Sequence, residues 1–128
     1  MLRALQTPDV GIGEAERRTG LTSRAIRFYE ESGLLESMRT ARGARRYDRA
    51  SLDRLAFIGL ARDAGLTIPQ IRDLLRLGED QDEARRLRLQ DLYRDRLSRL
   101  DAECDAVERS ARAMGVPLMS RRPQLVAS

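Results

Sequence analysis

Histidine and lysine are absent from this 128-residue chain and cysteine occurs once. No apolar run approaches the roughly 20 residues of a membrane helix. Each absence excludes something. Without histidine or a Gly-rich phosphate loop, and with its acidic residues scattered among arginines, the chain lacks the parts of an active site, so no enzyme is expected. One cysteine cannot close an intramolecular disulfide, which agrees with a reducing compartment. No charged-then-apolar signal opens the chain, and the expected location is cytoplasmic, away from any membrane.

The absence of lysine means that all 24 basic residues are arginine, so the net charge of +4 and the pI near 10.1 rest on guanidinium groups. A planar guanidinium donates two parallel hydrogen bonds, which suits phosphates and guanine edges. A coding bias against lysine would give the same count, so position has to carry the argument. Arg39, Arg42, Arg45, Arg46 and Arg49 crowd residues 37–50 against Asp48 alone. A solvated face, a nucleic acid or an acidic membrane surface would each account for such a patch.

The organisation predicted along the chain is a flexible leader over 1–9, a head over 10–78, a long helix over 79–114 and a flexible polar tail over 115–128. Gly11 to Thr19 reads as a short helix turning Ile12 and Ala15 inward, stopped by Gly20. Thr22 stands at an N-cap, with Leu21 and Ile26 spaced as a hydrophobic staple across it. Two short helices joined by a tight glycine turn make a helix-turn-helix. In that motif the N-terminal residues of the second helix meet base edges, which nominates Ser23, Arg24 and Arg27 as readers and Tyr29 as a phosphate donor. An ordinary amphipathic surface helix would show the same local pattern.

"MRTARGARRYD" at 38–48 reads as a short basic hairpin with Gly43 in its turn, a wing. Arg42, Arg45, Arg46 and Tyr47 on it are candidate phosphate contacts. Asp48 can cap a helix bearing Leu52, Leu55 and Ile58 on one face. "LTIPQIRDLL" starts another with a capping box of Thr67 and Gln70 and a staple of Leu66 and Ile71; Pro69 is tolerated in its first turn. From Asp82 onward, Tyr93, Leu97, Leu100, Cys104, Val107, Ala111 and Met114 recur at alternating spacings of four and three, a heptad seam. A second copy of the same helix would bury it, which predicts a homodimer. The expected fold is mainly α: a winged helix-turn-helix with a small β-hairpin wing, then a long dimerisation helix.

The ordered run "IGEAERRTGLTSRAIRFYEESGLL" followed by "RTARGARRYDRASLDRLAFIGLARDAGLTIPQIRDLL" resembles the DNA-binding domain of the MerR family of bacterial transcription regulators, across residues 12–75. The family pattern R-T-x-x-G-Y-R-x-Y is met by Arg39, Thr40, Gly43, Arg45 and Tyr47. Ala44 stands where the family usually has Tyr, and Phe28 replaces the first ring of its usual Tyr pair. The resemblance implies a homodimer joined by an antiparallel coiled coil, double-stranded promoter DNA as partner with a pseudo-palindromic site, and RNA polymerase at the promoter. Activation in many members works by bending and untwisting an overlong spacer. An architectural or phage excision-type bending factor, or a simple repressor, is the alternative. Metal- and cluster-sensing members carry cysteines at the start of the long helix and after it; this chain has Asp82 and Glu83 at the helix start and no cysteine in the tail. No metal or cofactor is therefore expected, and Cys104 is read as a packing residue of the seam, with a thiol switch as the alternative. With residues 115–128 alone after the long helix, no separate ligand-binding domain is expected.

Overall fold

The computed structural model describes residues 9–119. The predicted leader up to Pro8 and the predicted tail from Ser120 lie outside the described residues.

Helix α1 runs Ile12–Thr19, with Glu14 in its first turn and Arg17 and Arg18 in its last, the polarity that the helix dipole favours. Gly20 ends it at φ +74°, a left-handed conformation that lets the chain turn sharply, and its N–H returns to the Glu16 carbonyl at 2.8 Å. Helix α2, Ser23–Glu31, follows at once, capped by Thr22, whose hydroxyl oxygen accepts the Ala25 N–H at 3.1 Å. Helix α3, Arg49–Asp63, is capped by Asp48, which accepts from the Ser51 N–H at 2.8 Å. It passes so near the α1–α2 turn that a Cβ on Gly59 would stand 3.0 Å from a methyl of Leu21. A hydrogen is the side chain that fits there without displacing Leu21.

Helix α4, Ile68–Arg76, opens on the predicted capping box: Gln70 donates its N–H to Thr67 at 3.3 Å, and its side chain accepts the Thr67 N–H at 2.9 Å. Between α2 and α3, strands β1 (Met38–Arg39) and β2 (Arg45–Arg46) pair antiparallel, Met38 opposite Arg46 and Arg39 opposite Arg45. Gly43, at φ +84°, closes the turn by donating to the Thr40 carbonyl at 2.9 Å.

These elements enclose one apolar centre. Ile26, Leu34, Tyr47, Leu55, Ile58, Leu66, Ile71 and Leu74 are fully buried, each stabilising the fold by about 1.5–3 kcal/mol relative to exposure. Val10 adds an unforeseen tie to this head. It forms an antiparallel bridge with Tyr47, the residue just after β2, through bonds of 2.9 and 2.8 Å.

A 3-10 turn, Glu79–Gln81, leads into helix α5, Asp82–Ala113, whose 32 residues span about 48 Å. Two compact units divide the chain after Gln90, within α5. In the second unit the seam lies largely bare: Leu97 and Val107 are each 63% exposed and Leu100 37%. Leu92, outside that seam, is buried. Gly115 (φ +70°) reverses the chain, and Val116 donates to the Ala111 carbonyl at 2.8 Å. Leu118 and Met119 then line a shallow cleft of about 370 Å³ with Cys104 and Val107. Residues 115–119, the start of the expected tail, turn back at Gly115 toward the last turns of α5.

Candidate nucleic-acid interface

Helix α2 divides its side chains sharply. Ile26 and Tyr29 face the core, whereas Arg24, Arg27 and Phe28 are exposed. Arg24 and Arg27 are three apart, hence neighbours on one face, and neither guanidinium is held by a hydrogen bond among the described residues. Ser23 is not free to read. Its N–H and its hydroxyl both donate to one carboxylate oxygen of Glu16 on α1, and these two bonds, the side-chain one foremost, hold the Glu16 carboxyl below its ordinary value. The Glu16 bonds lock the start of α2 to α1, and Ser23 becomes a fastening between the helices.

Tyr29 also departs from expectation. Its ring is only 7% exposed, because at three residues past Ile26 it shares the inward face; the exposed ring is Phe28, 48% accessible and tilted against Tyr29 at 5.7 Å between centroids. Phe28 has no hydroxyl to give a phosphate.

The wing sorts its basic residues as well. Arg42, in the turn, is exposed and has no hydrogen-bond partner among the described residues. Arg39, also exposed, donates to the Gly43 carbonyl at 3.2 Å and braces the turn. Arg45 is half-buried, and its Nε donates to a carboxylate oxygen of Glu30 at 2.9 Å. Arg46 donates to the backbone carbonyl of Asp9. Tyr47 is fully buried, its hydroxyl donating to the other oxygen of Glu30. The predicted grip of Tyr47 on flanking phosphates is thus corrected, since a ring with no exposed surface cannot meet DNA. Arg45 and Arg46 are at least partly committed to the protein itself.

Glu30 sits at the centre of this arrangement. Burial pushes its carboxyl up, but the hydrogen bonds from Tyr47 and Arg45, the Arg45 charge and a bond from Ser37 outweigh that and leave it below the ordinary carboxylate value. The same neighbours act in reverse on Tyr47: burial first, then the bond to Glu30, push its phenol well above the ordinary 10.0.

Elsewhere in the head, arginines serve as carbonyl clamps. Arg72 donates to the Ser32 carbonyl at 2.6 Å, Arg54 to Leu34 at 3.2 Å and Arg62 to Leu66 at 2.9 Å. Arg85 reaches the carbonyls of Leu74 and Leu77 at the end of α4. These carbonyls lie in or just after the last turns of helices, where backbone acceptors run short of intrahelical donors, and a long cationic side chain adds one. Sequence reading missed these roles because nothing local marks them; the partners of Arg54 and Arg72 lie 20 and 40 residues away. Among the described residues no three Cys, Asp or Glu side chains are placed to hold a metal ion. No helix among them is long and apolar enough to cross a membrane.

The sequence family described as "MerR HTH family regulatory protein" matches residues 11–77, and that described as "MerR, DNA binding" matches residues 52–118. The chain belongs to the MerR family. It is a DNA-binding transcriptional regulator of that type, and its curated relatives are named as regulators. One is the HTH-type transcriptional regulator HmrR of Rhizobium leguminosarum bv. viciae, 36% identical over 92 residues, or 72% of this chain and 70% of the relative. Other curated MerR-type relatives are matched over only about half their length. A putative MerR family regulator from Listeria monocytogenes superposes with a TM-score of 0.64 at 30% identity, covering 82% of this chain and 83% of that one. HiNmlR, a MerR family regulator lacking the sensor domain and solved bound to promoter DNA, shares the fold with a TM-score of 0.62 at 23% identity, over 85% and 92% of the two chains.

Proposed function

We propose that this MerR-type regulator binds a pseudo-palindromic promoter site as a homodimer, inserts α2 of each head into a major groove and controls transcription by distorting the duplex between the heads. The observation that carries this reading is the α2 face itself, where Arg24 and Arg27 project exposed from a helix anchored by Ile26 and Tyr29, Arg27 within the field of the Glu16 carboxylate but without a hydrogen bond to it. Each guanidinium can donate two parallel N–H bonds to the O6 and N7 acceptors on the major-groove edge of a guanine, so two arginines on one helix face can read two bases. Arg42 at the wing turn is the phosphate contact best placed by exposure, with Arg39 beside it; Arg45 and Arg46 contribute charge from behind. Such contacts offset the roughly 1–10 kcal/mol needed to bend DNA.

The bare seam of α5 supports the dimer, with Tyr93, Leu97, Leu100, Cys104, Val107 and Ala111 as its contacts. In this reading the head is 10–78, the dimerisation helix 79–114, RNA polymerase the partner at the promoter, and the cytoplasm the place of action. The chain is a regulator and has no catalytic step. Simple repression at the same site differs from activation in its output, so one experiment covers both. Duplexes selected from a random pool by the full chain are footprinted and placed in a promoter transcribed by purified polymerase. The expected result is an enriched inverted repeat, a bent complex and altered transcription. No enrichment over the starting pool would sink the reading, and bending without any change in transcription would favour an architectural factor.

A further inference from the structure

The wing is too small to hold its own orientation. Two residue pairs join β1 to β2, and a hairpin of that size is marginal at best in water. Its placement relative to α2 has to come from side chains. Arg45 and Tyr47 are two apart on an extended segment and so project to the same side. Glu30, in the last turn of α2, meets both: one carboxylate oxygen accepts the Tyr47 hydroxyl and the other accepts Arg45 Nε at 2.9 Å. The side chain of Glu30 is only 11% exposed, and that of Arg45 28%. Glu30 lies three residues after Arg27 on the same helix, one turn from a proposed base reader.

We infer that Glu30 is a positioning residue for DNA recognition, a latch that fixes the wing against the recognition helix so that base contacts from α2 and phosphate contacts from the wing fall in register on one duplex. This rests on the DNA-binding mode proposed above. Three features support a latch over simple core packing. Both carboxylate oxygens are used, one by Arg45 of β2 and the other by Tyr47 just after it. The two donors are a phenol and a guanidinium; a glutamine would put an NH2 donor where one of the two acceptor oxygens stands, reverse one of the two bonds and lose the charge that pairs with Arg45. And the contact spans the two elements that meet DNA, leaving Arg24, Arg27 and Arg42 outside it.

With the latch released, the heads still carry their charge and still attract DNA, because the salt-dependent phosphate term does not need a fixed wing. What weakens is the coincidence of base and phosphate contacts on a preferred site. Glu30→Gln should therefore lower affinity for a duplex selected by the wild-type chain by roughly tenfold, while affinity for a scrambled duplex of the same composition stays level or rises, one negative charge having been removed. Tyr47→Phe keeps the buried ring, removes only the hydroxyl, and should move the ratio the same way by a smaller factor.

The test uses the full-length chain and these two variants, with binding to both duplexes measured across salt and amide hydrogen exchange read over residues 38–47. The expected result is faster exchange confined to the wing together with a reduced ratio of selected to scrambled affinity. The Tyr47→Phe change should add little once Glu30→Gln is present. Unchanged exchange in both single variants would overturn the latch. Faster wing exchange with an unchanged ratio would overturn its role in recognition. If Glu30→Gln fails to fold, Tyr47→Phe decides both questions. Arg42→Ala separates this from the underlying reading: if it leaves all DNA binding untouched, the wing contact is wrong whatever the latch does.

Discussion

At the scale of the residue, arginine has two occupations here, and surroundings decide between them. Arg54, Arg62, Arg72 and Arg85 hold backbone carbonyls, Arg45 holds Glu30, and Arg24, Arg27 and Arg42 are left facing solvent. Arg24→Ala is expected to cost about 1–3 kcal/mol of binding and to relax preference at one position of each half-site, because a base-edge contact discriminates. Arg42→Ala should weaken binding to every sequence and flatten the salt dependence by about one charge per subunit. Salt titrations on selected and scrambled duplexes distinguish them, and equal losses on both duplexes from both variants would end the distinction. Tyr47 offers a pH signature. Its phenol ionises at a higher pH in the folded chain than in the unfolded one, so its contribution to stability is complete below the ordinary 10.0 and is lost as pH rises toward the folded value. Melting temperature should thus fall from about pH 10 upward, and Tyr47→Phe should fall less steeply over that window. Glu30, held below its ordinary value, acts with the opposite sign: its contribution is present at neutral pH and disappears in acid.

At the scale of the element, α2, α3 and α4 each begin on a side-chain cap, and α4 carries the fullest one. Thr67→Ala removes the acceptor for the Gln70 N–H and should cost about 1 kcal/mol of stability, read by urea denaturation, without altering DNA contacts remote from α4. A larger loss would mean that Thr67 does more than cap. Helix α5 has a different problem. Its seam is regular but exposed, with Leu97, Leu100 and Val107 in contact with water in the single chain. Leu100→Asp is expected to leave the head folded, as its core lies entirely in the first unit, while abolishing self-association. Far-ultraviolet circular dichroism and light scattering read the two effects separately.

At the scale of the whole molecule, the expected species at micromolar concentration is twice the 14.5 kDa chain. A monomer would remove the dimer and, with it, the pseudo-palindromic site. If activation works by untwisting, shortening the promoter spacer should give high expression without the protein; continued dependence on the protein would refute that mechanism at the promoter tested.

Much of this architecture was legible beforehand because its signals are local. Caps, staples and glycine stops act within four residues, so Gly20, Thr22, Asp48 and Thr67 announced four helix boundaries directly, and the heptad spacing marked a long helix that runs Asp82–Ala113. Family motifs carried the winged head for the same reason, being an ordered string of such signals. What the sequence alone did not decide is which polar side chain meets which. Tyr29 and Tyr47 carry hydroxyls suited to phosphate, yet packing turned both inward; Ser23 stands at the reading end of α2, yet Glu16 seven residues earlier claims it. Composition and periodicity establish that a helix has a buried face, whereas the neighbours on that face are brought by other parts of the chain. Glu30 meets Tyr47 across 17 residues and Arg72 reaches Ser32 across 40, distances over which no sequence spacing specifies a contact, and only the closed tertiary structure does.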